Sequence, residues 1–210
     1  MLKFAPEGYP FISLTAAATI AVFIFGGAWA AALPVVLTLF VAFFFRDPER
    51  RVPDGDNIFV SPADGRILQV QTVTEEKFLK STAIEISIFM SPLNVHVNRA
   101  PCAGVVESVA YTPGAFISAF KPEASIRNEN IAMLLKGSSG SILVRQVAGA
   151  VARRVVCRAR QGDNLKKGER YGIIKFSSRL DVYLPENTEI KVKTGDSVKA
   201  GETIIGQLNI

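Results

Sequence analysis

Residues 10–45 form an unbroken run of 36 positions without one charged side chain. Gly26-Gly27 divides it into two apolar stretches, residues 10–25 and 28–45, of 16 and 18 residues. A straight helix needs about 20 apolar residues to cross the roughly 30 Å hydrocarbon layer, so each stretch is slightly short. A tight helical hairpin, a single broken span and a re-entrant anchor all meet this pattern. A buried hairpin in a soluble protein is the plainer alternative. A cleaved signal peptide does not fit, because the run is too long and no small-residue cleavage site follows it. Lys3 precedes the run and Arg46-Asp47-Pro48-Glu49-Arg50-Arg51 follows it. Basic residues stay on the cytoplasmic side, so both ends and everything after residue 46 are expected there. The arginines also suit acidic lipid headgroups, at about 1 kcal/mol per basic residue near the surface. A merely solvated charge run explains them equally well.

The remainder of the chain has a different texture. Short runs rich in Val and Ile, at residues 67–73, 83–89, 104–111, 142–147 and 190–192, are separated by Gly, Pro, Asp and Asn. That pattern reads as strands and turns. No long 3.6-residue period appears after residue 46. The expected fold is therefore a compact β-rich (α+β) domain, sandwich-like or barrel-like to protect its edges, preceded by the helical anchor. The segment 193–204 resembles the turn–strand pattern of lipoyl-like sandwich domains, with Gly195-Asp196 and Gly201-Glu202 as turns and Val198 and Ile204 pointing inward. The domain boundaries expected are 1–45 for the anchor and 46–210 for a cytoplasmic domain. A net charge of +5 suits an anionic surface. The chain carries no helix-turn-helix, zinc finger or aromatic-basic repeat, so nucleic acid is not an expected partner. The two cysteines, Cys102 and Cys157, form no CxxC, and with a single histidine they leave no metal site to expect.

Three segments carry candidate chemistry. His96, the only histidine, lies in Ser91-Pro92-Leu93-Asn94-Val95-His96-Val97-Asn98-Arg99-Ala100-Pro101. A lone histidine is often only a hydrogen-bonded structural group. Asp64 lies in Pro62-Ala63-Asp64-Gly65, which on its own is a turn former. Near the C-terminus stands Phe176-Ser177-Ser178-Arg179-Leu180-Asp181-Val182-Tyr183-Leu184-Pro185.

Taken together these motifs resemble the short, archaeal-type phosphatidylserine decarboxylase proenzymes, over about residues 46–206. The resemblance implies that Ser178 attacks its own backbone, that the chain is cut between Ser177 and Ser178, and that Ser178 becomes a covalent pyruvoyl cofactor. A β chain ending at Ser177 and an α chain beginning at position 178 would form the enzyme. The pyruvoyl carbonyl would make a Schiff base with phosphatidylserine and release phosphatidylethanolamine. The same resemblance makes His96 the proton donor, and Asp64 the carboxylate that orients its ring. Substrate contacts are expected from Arg99, which stands where longer relatives carry a second histidine, and from Asn128 and Glu129. The family normally places Gly before the reactive serine; Ser177 stands here, and cleavage is expected to survive the change. Membrane and lipid are the expected partners, and a homo-oligomer stays open.

Two other readings compete. One is a non-catalytic, membrane-tethered β domain that binds lipid or protein and carries a degenerate cleavage site. The other is a Ser-Lys peptidase built on Ser178 and Lys175. Lys136-Gly137-Ser138-Ser139-Gly140 offers a nominal Gly-Ser cleavage site, but between two apolar runs it reads as a hairpin turn.

Overall fold

The computed structural model describes residues 3–121, 123–138, 140–150, 154–175 and 178–208. It contains two compact units, Met1–Glu49 and Arg50–Ile210.

The first unit is the apolar segment. Helical hydrogen bonding is recorded from Tyr9 to Phe44, yet Gly27 has φ 76° and ψ −178°. Only glycine adopts that backbone without strain, and it reverses the chain. In a continuous helix residues 19 and 38 would lie about 28 Å apart at 1.5 Å per residue. Instead the hydroxyls of Thr19 and Thr38 are 2.9 Å apart, and the rings of Phe11 and Phe45 stack at 5.5 Å. The two arms end together: Ala5 N–H donates to the Phe45 carbonyl and Asp47 N–H to that of Lys3, both at 2.8 Å. The segment is thus a helical hairpin. Its outward residues are apolar on every side, with Phe25 and Trp29 90% and 95% exposed. A soluble helix buries one apolar stripe; here large apolar side chains are exposed on both arms. Its apolar composition is consistent with membrane association.

The second unit is built from strands β1 (Ile58–Val60), β2 (Gly65–Glu75), β3 (Ser81–Met90), β4 (Val97–Arg99), β5 (Gly104–Thr112), β6 (Asn130–Gly137), β7 (Gly140–Val147), β8 (Val155–Cys157), β9 (Asn164–Leu165), β10 (Arg170–Ile174), β11 (Ser178–Pro185), β12 (Thr188–Ile190), β13 (Ser197–Val198) and β14 (Ile204–Leu208). One short helix, α2 (Ala124–Arg127), interrupts them. Eight strands form a curled sheet in the order β13-β2-β3-β11-β7-β6-β5-β9. Two three-stranded sheets, β1-β14-β12 and β4-β10-β8, complete the domain. The β-rich expectation therefore holds. One inward residue differs: Val198 is buried as expected, but Ile205, not Ile204, enters the core on β14. Side chains alternate along a strand, so a shift of one residue exchanges the two faces.

β11 holds the centre of the large sheet. It pairs antiparallel with β3 from Ser178↔Met90 to Pro185↔Ala83, and with β7 from Arg179↔Val147 to Tyr183↔Leu143. Leu180, Val182 and Leu184 enter the main core beside Ile86, Ile88, Ile142 and Val144. Close approach also matters at Gly65, where a Cβ would lie 2.2 Å from the Phe89 carbonyl oxygen. β6 and β7 pair through to Gly137↔Gly140, so Ser138 falls at the closed end of a hairpin. Ser139 lies outside the described residues.

Leu180 is fully buried in the central strand. Leu180→Ala should cost about 2–5 kcal/mol, read as a lowered denaturation midpoint of the purified protein.

Candidate active site

Ser178 opens β11 and is fully buried. Its Oγ lies 3.4 Å from the Met90 thioether sulfur, a weak acceptor. The same sulfur faces Asn98 Nδ2 at 3.8 Å. Asn98 is fixed in turn by Gln146, whose Nε2 donates to Asn98 Oδ1 at 2.8 Å. A small buried pocket of polarity thus surrounds Ser178 at the edge of the core.

His96 reaches this end of the domain through the backbone. β4 and β10 pair at Val97↔Ile173, and Ile174 N–H donates to the His96 carbonyl at 3.4 Å. Ser178 follows four residues after Ile174. His96 and Asn98 are two residues apart, which is about 7 Å of extended chain and the same side of it. The His96 ring is fully buried, and its Nδ1 is 3.0 Å from the Asn94 carbonyl oxygen. A carbonyl only accepts, so Nδ1 carries the proton and Nε2 holds the lone pair in the neutral ring. The tautomer expected from a carboxylate is therefore set by a backbone group two residues away.

Asp64 has other partners. Arg50 Nη2 contacts both carboxylate oxygens at 2.9 and 2.8 Å, and Ala200 N–H donates to Oδ1 at 2.8 Å. The pair is largely buried, with side-chain exposures of 7% and 11%. Arg50 also approaches Glu202 at 3.3 Å. Asp64 thus holds the domain's first residues to the 199–202 turn, and its expected part in orienting His96 falls to Asn94.

The expected substrate contacts are also occupied by the fold. Arg99 is one strand position beyond Asn98, so its side chain leaves on the opposite face, where Nη1 donates to the Gly168 carbonyl at 3.0 Å. Asn128 uses its whole amide: Oδ1 accepts from Ile117 N–H, and Nδ2 donates to the carbonyls of Ile117 and Ala148, at 2.7–3.0 Å. It ties the segment before α2 to the chain beyond β7. Glu129 accepts a 3.0 Å hydrogen bond from the Tyr111 hydroxyl, which raises the pKa of that phenol. Ser177 lies outside the described residues.

A second polar cluster was not anticipated. Arg179, Asp181 and Tyr183 alternate with the core residues Leu180, Val182 and Leu184 on β11 and are buried on the other face of the sheet. Arg179 bonds to Asp181 at 2.5 Å and to Ser87 Oγ at 2.6 Å, and its Nη2 lies 3.6 Å from Glu85. Asp181 also accepts from Ser125 at 2.6 Å, and Tyr183 donates to Glu85 at 3.0 Å. Burial, then the neighbouring Asp181 charge, pushes the Tyr183 hydroxyl pKa upward. Glu85, Ser125, Arg179 and Tyr183 line a cavity of about 750 Å³. The every-second-residue polarity of Arg179, Asp181 and Tyr183 was visible in sequence, but a half-exposed strand has the same pattern. Matching polar residues on β3 and β7, Glu85 and Arg145, were the distinguishing signal.

Among the described residues, no group of three or more His, Cys, Asp or Glu side chains is placed to hold a metal ion. Burial pushes the Cys102 thiol up to about 12, against a smaller opposing pull from Lys167.

Comparison with known proteins bears on this arrangement. The chain matches the family model for phosphatidylserine decarboxylase over residues 37–206. It is 45% identical over 204 residues to a phosphatidylserine decarboxylase proenzyme of Syntrophus aciditrophicus, covering 96% of each chain. A proenzyme of the same description from Desulfotalea psychrophila is 44% identical over 214 residues, covering 97% of this chain and 96% of the relative. One from Burkholderia ambifaria is 43% identical over 205 residues, covering 97% and 95%. Likeness along the whole chain to such precursors places it, as a class, among decarboxylating enzymes made as proenzymes. The chain belongs to the phosphatidylserine decarboxylase family.

Two outcomes are expected from this geometry. Arg50→Met leaves the Asp64 charge buried and should lower stability by about 3–5 kcal/mol, with partial recovery when Asp64→Asn is added. If Asp64 instead served the histidine, Arg50→Met would leave the thermal midpoint near the wild-type value. A thiol raised to about 12 is protonated at neutral pH, so native Cys102 should resist alkylation by iodoacetamide until the protein is unfolded.

Proposed function

We propose that this protein decarboxylates phosphatidylserine to phosphatidylethanolamine, using a pyruvoyl group that it makes from Ser178. What supports this reading is the likeness to phosphatidylserine decarboxylase proenzymes over nearly the whole chain, together with a buried Ser178 at the head of the central strand and a buried His96 ring whose tautomer is fixed by Asn94. The apolar hairpin holds the enzyme at the cell membrane, with the catalytic domain on the cytoplasmic face as the flanking basic residues suggest.

Maturation begins when Ser178 Oγ adds to the carbonyl carbon of Ser177. The peptide bond becomes an ester as the nitrogen leaves. Loss of the Ser178 α-proton then expels the Ser177 carboxylate and leaves a dehydroalanine at the new N-terminus. Tautomerisation and attack by water release ammonia and give the pyruvoyl group. Pairing of Ser178 with Met90 fixes where its hydroxyl stands, and the weak thioether contact leaves that hydroxyl free to attack. The products are a β chain ending at Ser177 and an α chain of residues 178–210.

The residues present fit such a group. Ser178 Oγ and Asn98 Nδ2 face the same sulfur, so the space beside Ser178 already holds an amide donor suited to a carbonyl oxygen. The pyruvoyl carbonyl supplies the electrophile that condenses with the substrate amine and takes up the electrons released with CO₂. His96 handles the proton. The lone pair on Nε2 takes a proton from the substrate side, and the resulting imidazolium returns one to the substrate α-carbon. The Asn94 carbonyl stabilises the imidazolium through the Nδ1 proton throughout. Burial of the ring and of Ser178 keeps bulk solvent away from the reacting atoms, so that only the water consumed in hydrolysis has to enter.

Ser178→Ala should give one uncut chain with no decarboxylation of phosphatidylserine in detergent micelles; normal turnover would overturn the mechanism. His96→Ala should lower turnover by about 10²–10⁴, the usual worth of a positioned acid or base. A His96→Ala protein with wild-type turnover would remove the histidine from the reaction. Hydroxylamine, which captures reactive carbonyls, should inactivate the wild-type enzyme; an unaffected enzyme would favour a serine peptidase or a binding protein.

A further inference from the structure

Two tips with exposed apolar side chains lie close in the chain or by pairing to the end of β3 that meets Ser178, and the chemistry above does not use those apolar side chains. The first is the turn joining β3 to His96. It is closed by Asn94, whose side-chain oxygen accepts from Ser91 N–H and Oγ at 2.8 Å. At its crest Leu93 is 66% exposed. The second is the segment between β5 and β6. Asn128 pins it at Ile117, and it exposes Phe120 by 64% and Ile126 by 83%.

Both tips are tied to the site. Phe120 packs edge-to-face on Phe89 at 5.7 Å, and Phe89 pairs with Arg179 while Met90 pairs with Ser178. Leu93 lies three residues after Met90 and three before His96. An isolated exposed leucine needs no explanation, but large apolar side chains on two separate tips beside one site form a contact surface. Lys121 and Arg127 are exposed in the second tip, with Glu123 between them.

We propose that Leu93, Phe120 and Ile126 insert into the lipid bilayer and seat the mouth of the site on it, forming a second membrane contact independent of the hairpin. The inference rests on phosphatidylserine being the substrate. The acyl chains of that lipid stay in the bilayer, so the rim around Ser178 has to meet the interface. An apolar crest at Leu93, and one at Phe120 and Ile126 with two cations against the single acid Glu123, suit a surface that is apolar below and anionic at its headgroups. A protein partner or a second copy of this chain would not require the crests to sit beside Ser178.

The full-length chain provides the test. Trp29 is its sole tryptophan. A Trp29→Phe, Ile126→Trp protein reconstituted into phosphatidylcholine–phosphatidylserine vesicles should lose fluorescence when the acyl chains are brominated. Unquenched emission would overturn the proposal, and so would a blue shift that grows with protein concentration in lipid-free detergent, the mark of a second copy. The Phe120→Ser, Ile126→Ser protein should lose about tenfold in kcat/KM on vesicle substrate, given the apolar area withdrawn from lipid. On monomeric short-chain phosphatidylserine it should stay within about twofold, as exposed substitutions do. An equal loss on both substrates, or none on vesicles, contradicts the proposal. Quenching is read without turnover. A quenched probe in an enzyme that decarboxylates neither substrate would therefore refute the activity and leave the contact standing.

Discussion

The register of β11 between β3 and β7 is the constraint on which the rest of the domain depends. Eight antiparallel pairs with β3 run from Ser178↔Met90 to Pro185↔Ala83. They set three leucine-type side chains into the main core and three polar ones into the opposite face. A slip of one residue would drive Arg179 and Asp181 into the core and strip each of its partner, at several kcal/mol per unpaired charge. The charged face therefore opposes any slip by an odd number of residues, and Ser178 is held in place by interactions many residues away. In the proposed self-cleavage, where Ser178 attacks its own backbone, that placement is the essential requirement.

The histidine is positioned by a different device. A backbone carbonyl, not a carboxylate, receives the Nδ1 proton. Asp64 serves instead with Arg50, where charge pairing fastens the start of the domain to the 199–202 turn. The same acidic residue in a Pro-Ala-Asp-Gly turn suits either use, and only the positions of the neighbouring groups decide between them.

Much of the architecture was legible in the chain. Residues 67–73, 83–89, 104–111 and 142–147 fall inside strands β2, β3, β5 and β7, because Val- and Ile-rich runs bounded by turn residues have few other solutions. The central strand was harder to see: its alternation of Arg179, Asp181 and Tyr183 with Leu180, Val182 and Leu184 describes an edge as well as a buried strand. Ser178 and His96 stood out through the motifs around them. The roles of Asn98, Gln146 and Met90 did not, because they arise from β3, β4 and β7 meeting in space and leave no local pattern. The full amide of Asn128 is spent on Ile117 and Ala148 for a similar reason. Its Asn-Glu setting gave no hint that both ends of the amide were required by a loop.

The most direct test of this account is the intact mass of the purified protein under denaturing conditions. The account predicts two species, one of residues 1–177 and one of residues 178–210 bearing a pyruvoyl group at a blocked N-terminus. A single unmodified chain of 22.7 kDa that still decarboxylates phosphatidylserine would contradict it.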